Sequence, residues 1–326
     1  MTKDNLTTEL FVLQFVQEAS KPQTHSKRLR ACRKFWKNCP KNLTIKQWMF
    51  VWRGFYYIIW YEEMRKGGQE LIEELGSIEN DAFFFAGFKS LSESWESIDD
   101  LRIDKYMYLA RIMLRTIIKK QISSILNSEI LFQDNKFIKS LKIKADSPSI
   151  NAKTIGIHYI INVTNNSIGL LLHLVDVYLE EIKSALDDQS IDDDQKAEVY
   201  IEMVKPFIYE FKTIKDDRLR ESIRRDIFEN LINRMILDES FSVRKSILTS
   251  IIEIFENLDQ TMELNGKDVQ YRNQILEIYK NKMENFSTNG KAKRKIIGYN
   301  PRTKKFKYEK VTAIPFVKSI IPLPVV

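Results

Sequence analysis

Cysteine is almost missing from this chain: Cys32 and Cys39 are the only two in 326 residues. Two thiols cannot make a disulfide framework, and they suit a reducing compartment. Histidine is equally scarce. His25, His158 and His173 are scattered, and with two cysteines they offer no metal-ligand spacing, so neither a metal nor another cofactor is expected. Ten glycines and eight prolines are few, and the apolar residues recur at helical rather than alternating spacing, which predicts an all-α chain. No Gly-x-x-x-x-Gly-Lys-Ser/Thr, Gly-x-Gly-x-x-Gly, His-Glu-x-x-His or Gly-x-Ser-x-Gly occurs. Glu62–Glu63 and Glu73–Glu74 are expected at exposed helix ends, where adjacent side chains point in different directions and form no acid–base pair. An enzyme, and with it a small-molecule substrate, is therefore not expected. The opening MTKDNLTTEL lacks a charged segment followed by an apolar one, so no secretory signal is expected.

What the chain does have is one stretch, residues 44–64, too apolar for a water surface. Twelve of the fourteen residues from Trp48 to Tyr61 are apolar or aromatic, so the segment must be buried. Thr44 with Gln47 reads as a capping box that opens a helix. Trp48, Trp52, Phe55 and Ile59 follow at i, i+4, i+7 and i+11, one stripe along that helix, and Gly54 leaves room for a neighbour. The run is shorter than the roughly 20 residues a bilayer needs and contains Arg53, so no membrane partner is expected. Trp48, Trp52, Trp60 and Trp95 are assigned to the core.

Charge is distributed unevenly. The net charge is +7, but Lys291 to Lys318 alone contributes +9 from ten basic residues and one acid, leaving −2 for residues 1–290. Lys21 to Arg53 is a second block, with ten Lys or Arg and no acid. Two such blocks suggest an anionic partner, RNA foremost. Acids gather at Asp187, Asp188 and Asp192 to Asp194, and the last three need no metal because they complement the dipole at a helix start.

Taken in order, residues 8–19 predict a short helix ended by Lys21-Pro22. Ser26 can cap a second to Asn38, with Leu29, Cys32, Phe35 and Trp36 inward and Arg28, Arg30, Arg33, Lys34 and Lys37 accessible. That face reads equally as a binding surface or a solvated one. Gly67-Gly68 marks a break before a short helix at 69–75. Residues 81–95 form a second aromatic helix, and Ser97 with Asp100 can cap a long one to Leu126, striped by Tyr106, Leu109, Met113 and Ile117. Arg111, Arg115 and Lys119 form a row suited to acidic neighbours ahead of phosphates. The signal weakens from Phe132 to Asn166, with a loop at Ser147-Pro148-Ser149, so the join between two helical halves is placed there. Residues 167–186 carry an apolar seam, with His173 and Asp176 opposite it and suited to a local hydrogen bond rather than a ligand pair. Helices are expected from Asp192 towards Ile214, kinked at Pro206, and over 217–237, 243–258 and 267–285. Such a series describes an α-helical solenoid with no strict period. Beyond Asn289, Lys291, Lys293, Arg294, Lys295, Arg302, Lys304, Lys305 and Lys307 interleave with Tyr299, Phe306 and Tyr308, which suits phosphate contact with base stacking, or alternatively a nuclear address. Asn300-Pro301 can turn a small hairpin, and the proline-containing end is expected to be extended.

Three blocks resemble the eukaryotic ribosomal RNA-processing protein 1 family. They are Trp52-Arg53-Gly54-Phe55-Tyr56-Tyr57 with Trp60; Trp95-x-x-Ile98 followed by Leu101-Arg102-x-Asp104-Lys105-Tyr106 and Arg111; and His173-Leu174-x-Asp176-x-Tyr178-Leu179-Glu180-Glu181. The helix Lys27-x-x-Arg30-x-x-Arg33-Lys34 also fits, and the blocks keep their order over about residues 10–237. The chain departs after Trp60, where Tyr61-Glu62-Glu63-Met64 stands in place of Asp-Lys-Pro. Larger members carry a long low-complexity extension, so a compact version is expected. The resemblance implies a nucleolar, non-enzymatic assembly factor of the large ribosomal subunit precursor, needed in processing pre-ribosomal RNA.

Together these readings predict an all-α, HEAT-like α-helical solenoid with an extended basic C-terminal tail. Residues 1–145 form its N-terminal half, 146–288 its C-terminal half and 289–326 the tail. Candidate binding residues are Lys27, Arg28, Arg30, Arg33, Lys34 and Lys37, together with the eight tail cations named above. Their expected partners are pre-ribosomal RNA, large-subunit assembly factors and ribosomal proteins. The other class is a cytosolic helical-repeat adaptor that binds only proteins, its tail a nuclear-transport signal.

Overall fold

The computed structural model of the chain describes residues 3–21, 24–40, 43–63, 66–76, 80–129, 154–187, 189–210, 214–258, 266–289, 296–300 and 305–308, with single residues 78, 131 and 139 between them. Among the described residues twelve α-helices follow one another. They are α1 (Lys3–Ala19), α2 (His25–Asn38), α3 (Ile45–Tyr61), α4 (Lys66–Gly76), α5 (Asp81–Ser94), α6 (Ile103–Leu126), α7 (Ile155–Thr164), α8 (Ile168–Asp187), α9 (Asp193–Glu210), α10 (Asp217–Ser222), α11 (Phe241–Glu256) and α12 (Gly266–Asn289). A 3-10 turn, Trp95–Ser97, follows α5, and α10 runs on through π-helical turns at Ile223–Glu229 and Leu231–Met235. The strands β1 (Ile296–Asn300) and β2 (Lys305–Tyr308) pair antiparallel, while Pro301 of the turn anticipated at Asn300-Pro301 lies outside the described residues. Residues 1–280 make one compact unit and 281–326 a second.

Within the first unit each helix from α1 to α9 packs on the helix two places further along. α1, α3, α5, α7, α9 and α11 form one layer, while α2, α4, α6, α8 and α10 form the other. This alternation is the arrangement of an α-solenoid, in which a helix buried on more than one side is covered by its layer neighbours and by the opposite layer. α3 shows why. Its capping box is made as expected, with Thr44 Oγ1 accepting from the Gln47 backbone N–H at 3.2 Å and the Gln47 side-chain oxygen accepting from Thr44 N–H at 2.8 Å. Trp48, Val51, Trp52, Phe55, Ile58 and Ile59 are all buried, a set too broad for one neighbour to cover. Trp52 stacks on Phe83 of α5 with ring centroids 4.6 Å apart and donates its indole N–H to the Phe83 carbonyl at 2.6 Å. A Cβ at Gly54 would lie 2.6 Å from the Phe15 ring of α1, and one at Gly87 would lie 2.4 Å from Trp52, so both glycines are required by close helix approach.

Several expected boundaries shift, each for a local reason. α1 starts at Lys3 rather than Thr8, and the N-cap of α2 is Thr24, which places Ser26 inside the helix. The long helix starts at Ile103, not after Ser97, because the chain first makes its 3-10 turn and the Ser97 hydroxyl is used on the Ser94 carbonyl at 2.6 Å. Gly67 and Gly68 lie within the first turn of α4 rather than breaking the chain ahead of it. α7 is a helix within the region of weak signal. α9 ends at Glu210, short of Ile214, and contains Pro206 as anticipated. The loop at Ser147-Pro148-Ser149 and the proline-containing end lie outside the described residues.

Candidate functional site

The basic face of α2 splits into two kinds of residue. Lys27, Arg30, Lys34 and Lys37 fall at i, i+3, i+7 and i+10, one exposed stripe. Among the described residues Lys27, Arg30 and Lys37 form no ion pair, and Lys34 reaches Glu18 of α1 at 3.8 Å. Arg33 is exposed but engaged, holding both oxygens of Glu74 on α4 at 3.0 Å. Arg28, expected to be accessible, is instead 7% exposed. It sits on the inward side of the helix and pairs with Glu62, whose other oxygen lies 3.1 Å from His25 Nδ1. Glu62, expected at an exposed end, is therefore also buried, because it answers a buried arginine. Of the tail candidates, Lys291, Lys293, Arg294, Lys295, Arg302 and Lys304 lie outside the described residues, while Lys305 and Lys307 fall in β2.

The three sequence blocks meet at the C-terminal end of α3 and along α6. Lys105 is buried and donates to the last carbonyls of α3, those of Ile59, Trp60 and Glu62, at 3.0, 2.9 and 2.6 Å. The Ile59 carbonyl also accepts the Glu62 N–H at 3.1 Å, and this end of the helix carries the negative end of its dipole, which the ammonium offsets. Burial, followed by the charge of Arg102, holds the Lys105 pKa below its ordinary value. Tyr106 donates to the Tyr56 carbonyl at 2.9 Å, and the Arg102 guanidinium lies 4.2 Å above the Trp60 ring. The third block then fastens α8 to α6. Arg111 Nε and Arg115 Nε donate to the two oxygens of Glu181 at 2.5 and 2.6 Å, and Arg111 also reaches Glu180 at 3.1 Å. The arginine row thus meets acidic neighbours, as expected. Burial alone would raise the Glu181 carboxyl, but its hydrogen bonds to Arg115 and Arg111 and their charges outweigh this and hold it below its ordinary value. His173 Nε2 donates to the Met107 carbonyl at 2.9 Å, so its partner is on α6 and not the neighbouring Asp176.

Burial pushes the Cys32 thiol up to about 12 and the Cys39 thiol up to about 11, leaving both protonated at neutral pH and poor nucleophiles. Among the described residues no group of three or more His, Cys, Asp or Glu could hold a metal ion, and no helix is long and apolar enough to cross a membrane.

Two layers of helices tied by ion pairs between them, with a row of cations left on the outside of α2, define an α-solenoid protein. The family model described as nucleolar protein Nop52 matches residues 13–296, and the chain belongs to that family of nucleolar proteins. Ribosomal RNA processing protein 1 homolog B of Mus musculus is 26% identical over 210 residues, 60% of this chain and 25% of that protein. Ribosomal RNA processing protein 1 homolog of Drosophila melanogaster is 22% identical over 244 residues, 69% of this chain and 32% of that one. The homolog of Dictyostelium discoideum is 24% identical over 233 residues, 64% and 43% of the two chains. The chain thus matches between 25% and 43% of the length of these curated relatives.

Proposed function

We propose that this protein is a non-enzymatic factor in ribosome biogenesis that acts in pre-ribosomal RNA processing and large-subunit assembly, as a helical scaffold for pre-ribosomal proteins and RNA. The observation that carries the reading is the division of its charges. Within the blocks that carry the family resemblance Lys105 and Glu181 are engaged inside the fold, while the α2 stripe of Lys27, Arg30, Lys34 and Lys37 stays outside. Family membership and the names of the relatives supply the process. Residues 1–145 and 146–288 act as halves of one scaffold, and the cations of 289–326 serve as a separate phosphate-binding arm. The cytosolic adaptor is disfavoured by membership of a nucleolar family.

The test is depletion of the protein in its own cells, followed by probing precursor RNA and by gradient sedimentation. Large-subunit precursor RNA should accumulate, and the protein should travel with large-subunit particles. Unchanged precursor RNA together with sedimentation away from those particles would overturn the proposal.

A further inference from the structure

We infer that the outer side of the odd-numbered layer carries a groove for single-stranded RNA between α3 and α5, centred on Arg53. This deepens the reading above and rests on its RNA component. Two adjoining hollows of ≈ 440 and ≈ 320 Å³ run between these helices and share Arg53, Ser90 and Ser94. Lys46 and Lys89 line the first, and Tyr57, 40% exposed, borders the second.

The charges point one way. Glu93 is the one acid on the lining of either hollow, and Lys89 already holds it at 3.3 Å. Lys46 and Arg53 are exposed and meet no carboxylate within ion-pair distance among the described residues. The Arg53 guanidinium lies over the Phe50 ring, 5.6 Å from its centroid. Arg28, Arg33, Arg102, Arg111 and Arg115 all have acidic partners, so an arginine left open over a hollow stands apart from these others. Lys46 and Arg53 are also the only charged residues of α3. Seven positions apart, they share one face and lie about 10 Å apart along the axis.

The lining chemistry matches a nucleotide strand part by part. Lys and Arg take phosphates, serine hydroxyls add sugar or phosphate contacts, and an exposed tyrosine ring offers a stacking face to a base. A duplex turns no base face outwards, and an acidic peptide would use the cations but leave Tyr57 idle. The single strand is the occupant that engages all of them.

The experiment uses the full chain, a short fluorescein-labelled oligouridylate and a salt series, with thermal melts confirming that each variant folds. Lys46→Glu combined with Arg53→Glu should weaken binding at least about tenfold and make the slope of log K against log salt shallower by about 1.4, two phosphates at about 0.7 each. Tyr57→Ala should weaken binding about tenfold, and Tyr57→Phe should retain it, since stacking needs the ring and not the hydroxyl. Wild-type affinity in the Lys46/Arg53 variant overturns the inference. If Lys27→Glu, Arg30→Glu and Lys37→Glu together abolish binding in that case, the groove fails while RNA binding by the protein stands. No oligouridylate binding by the wild-type chain removes both. Displacement of bound oligouridylate by polyglutamate at lower concentration than by unlabelled oligouridylate would assign the groove to an acidic protein and also overturn it.

Discussion

Two basic rows, one on α6 and one on α2, look alike in the sequence and do opposite things in the fold. Arg111 and Arg115 on α6, four residues apart, both close on Glu181, which is 1% exposed. Lys27, Arg30 and Lys37 on α2 face no acid among the described residues. What separates them is the element that lies opposite. α8 brings two carboxylates to α6, whereas the outer face of α2 looks away from its neighbours. Basic residues at helical spacing are therefore not by themselves a binding surface. Those left without an acid after the helices have packed remain available to a partner.

The largest effect should come from breaking the packing that decides which charges face inward. Trp52 is 1% exposed, stacks on Phe83 and crowds Gly87. Trp52→Ala should cost about 3–5 kcal/mol in chemical unfolding, a large part of a typical domain's stability. A loss under about 1 kcal/mol would show that α3 is not the shared core of the N-terminal helices.

Next comes the α6 row. Glu181→Gln removes the carboxylate that two arginines share. A fully buried pair broken this way costs roughly 3–5 kcal/mol, but Arg111 and Arg115 keep 34% and 38% of their side-chain surface exposed, so about 2 kcal/mol is expected. The effect carries a pH signature. Because the folded-state pKa of Glu181 is lowered, its contribution is complete above the ordinary carboxylate value of about 4.3 and is lost as pH falls through the folded-state value. The stability gap between wild type and Glu181→Gln should therefore be widest at neutral pH and close in acid. A gap that stays constant from neutral pH into acid would mean the carboxylate's charge is not what fastens α8 to α6.

Much of this was legible in the sequence. The capping box of α3 and the stripe of Tyr106, Leu109, Met113 and Ile117, each 0% exposed, follow from spacing alone. What stayed hidden depends on partners distant in the chain. Arg28 and Arg30 are two residues apart with the same chemistry; Arg28 shares the inward face of Ala31, Cys32 and Phe35, and the carboxylate that answers its charge there, Glu62, lies 34 residues further on. α7 was obscured because Gly156 to Ile161 are buried on every side, which leaves no polar face to give the pattern a period. The π-helical turns after α10 have no residue signature, and the sequence read them as ordinary helix. Arg53 was visible as a charge against a membrane span and as part of a basic block and a family block, but the groove it overlooks exists only once α5 lies beside α3.

The smallest change in stability, and the sharpest form of the comparison, lies within α2 itself. Lys27→Glu, Arg30→Glu and Lys37→Glu alter exposed residues with no ion-pair partner among the described ones, so each should move stability by no more than about 0.5 kcal/mol. Arg28→Met, one position from Lys27, should cost several times more, because the buried Glu62 carboxylate would lose its arginine. Binding should order the same residues in reverse: the three exposed changes weaken RNA association and flatten its salt dependence, while Arg28→Met leaves the affinity of the folded fraction unchanged. If Arg28→Met and Lys27→Glu shift both properties alike, the division between locking and contacting residues fails on the one helix where the two kinds stand side by side.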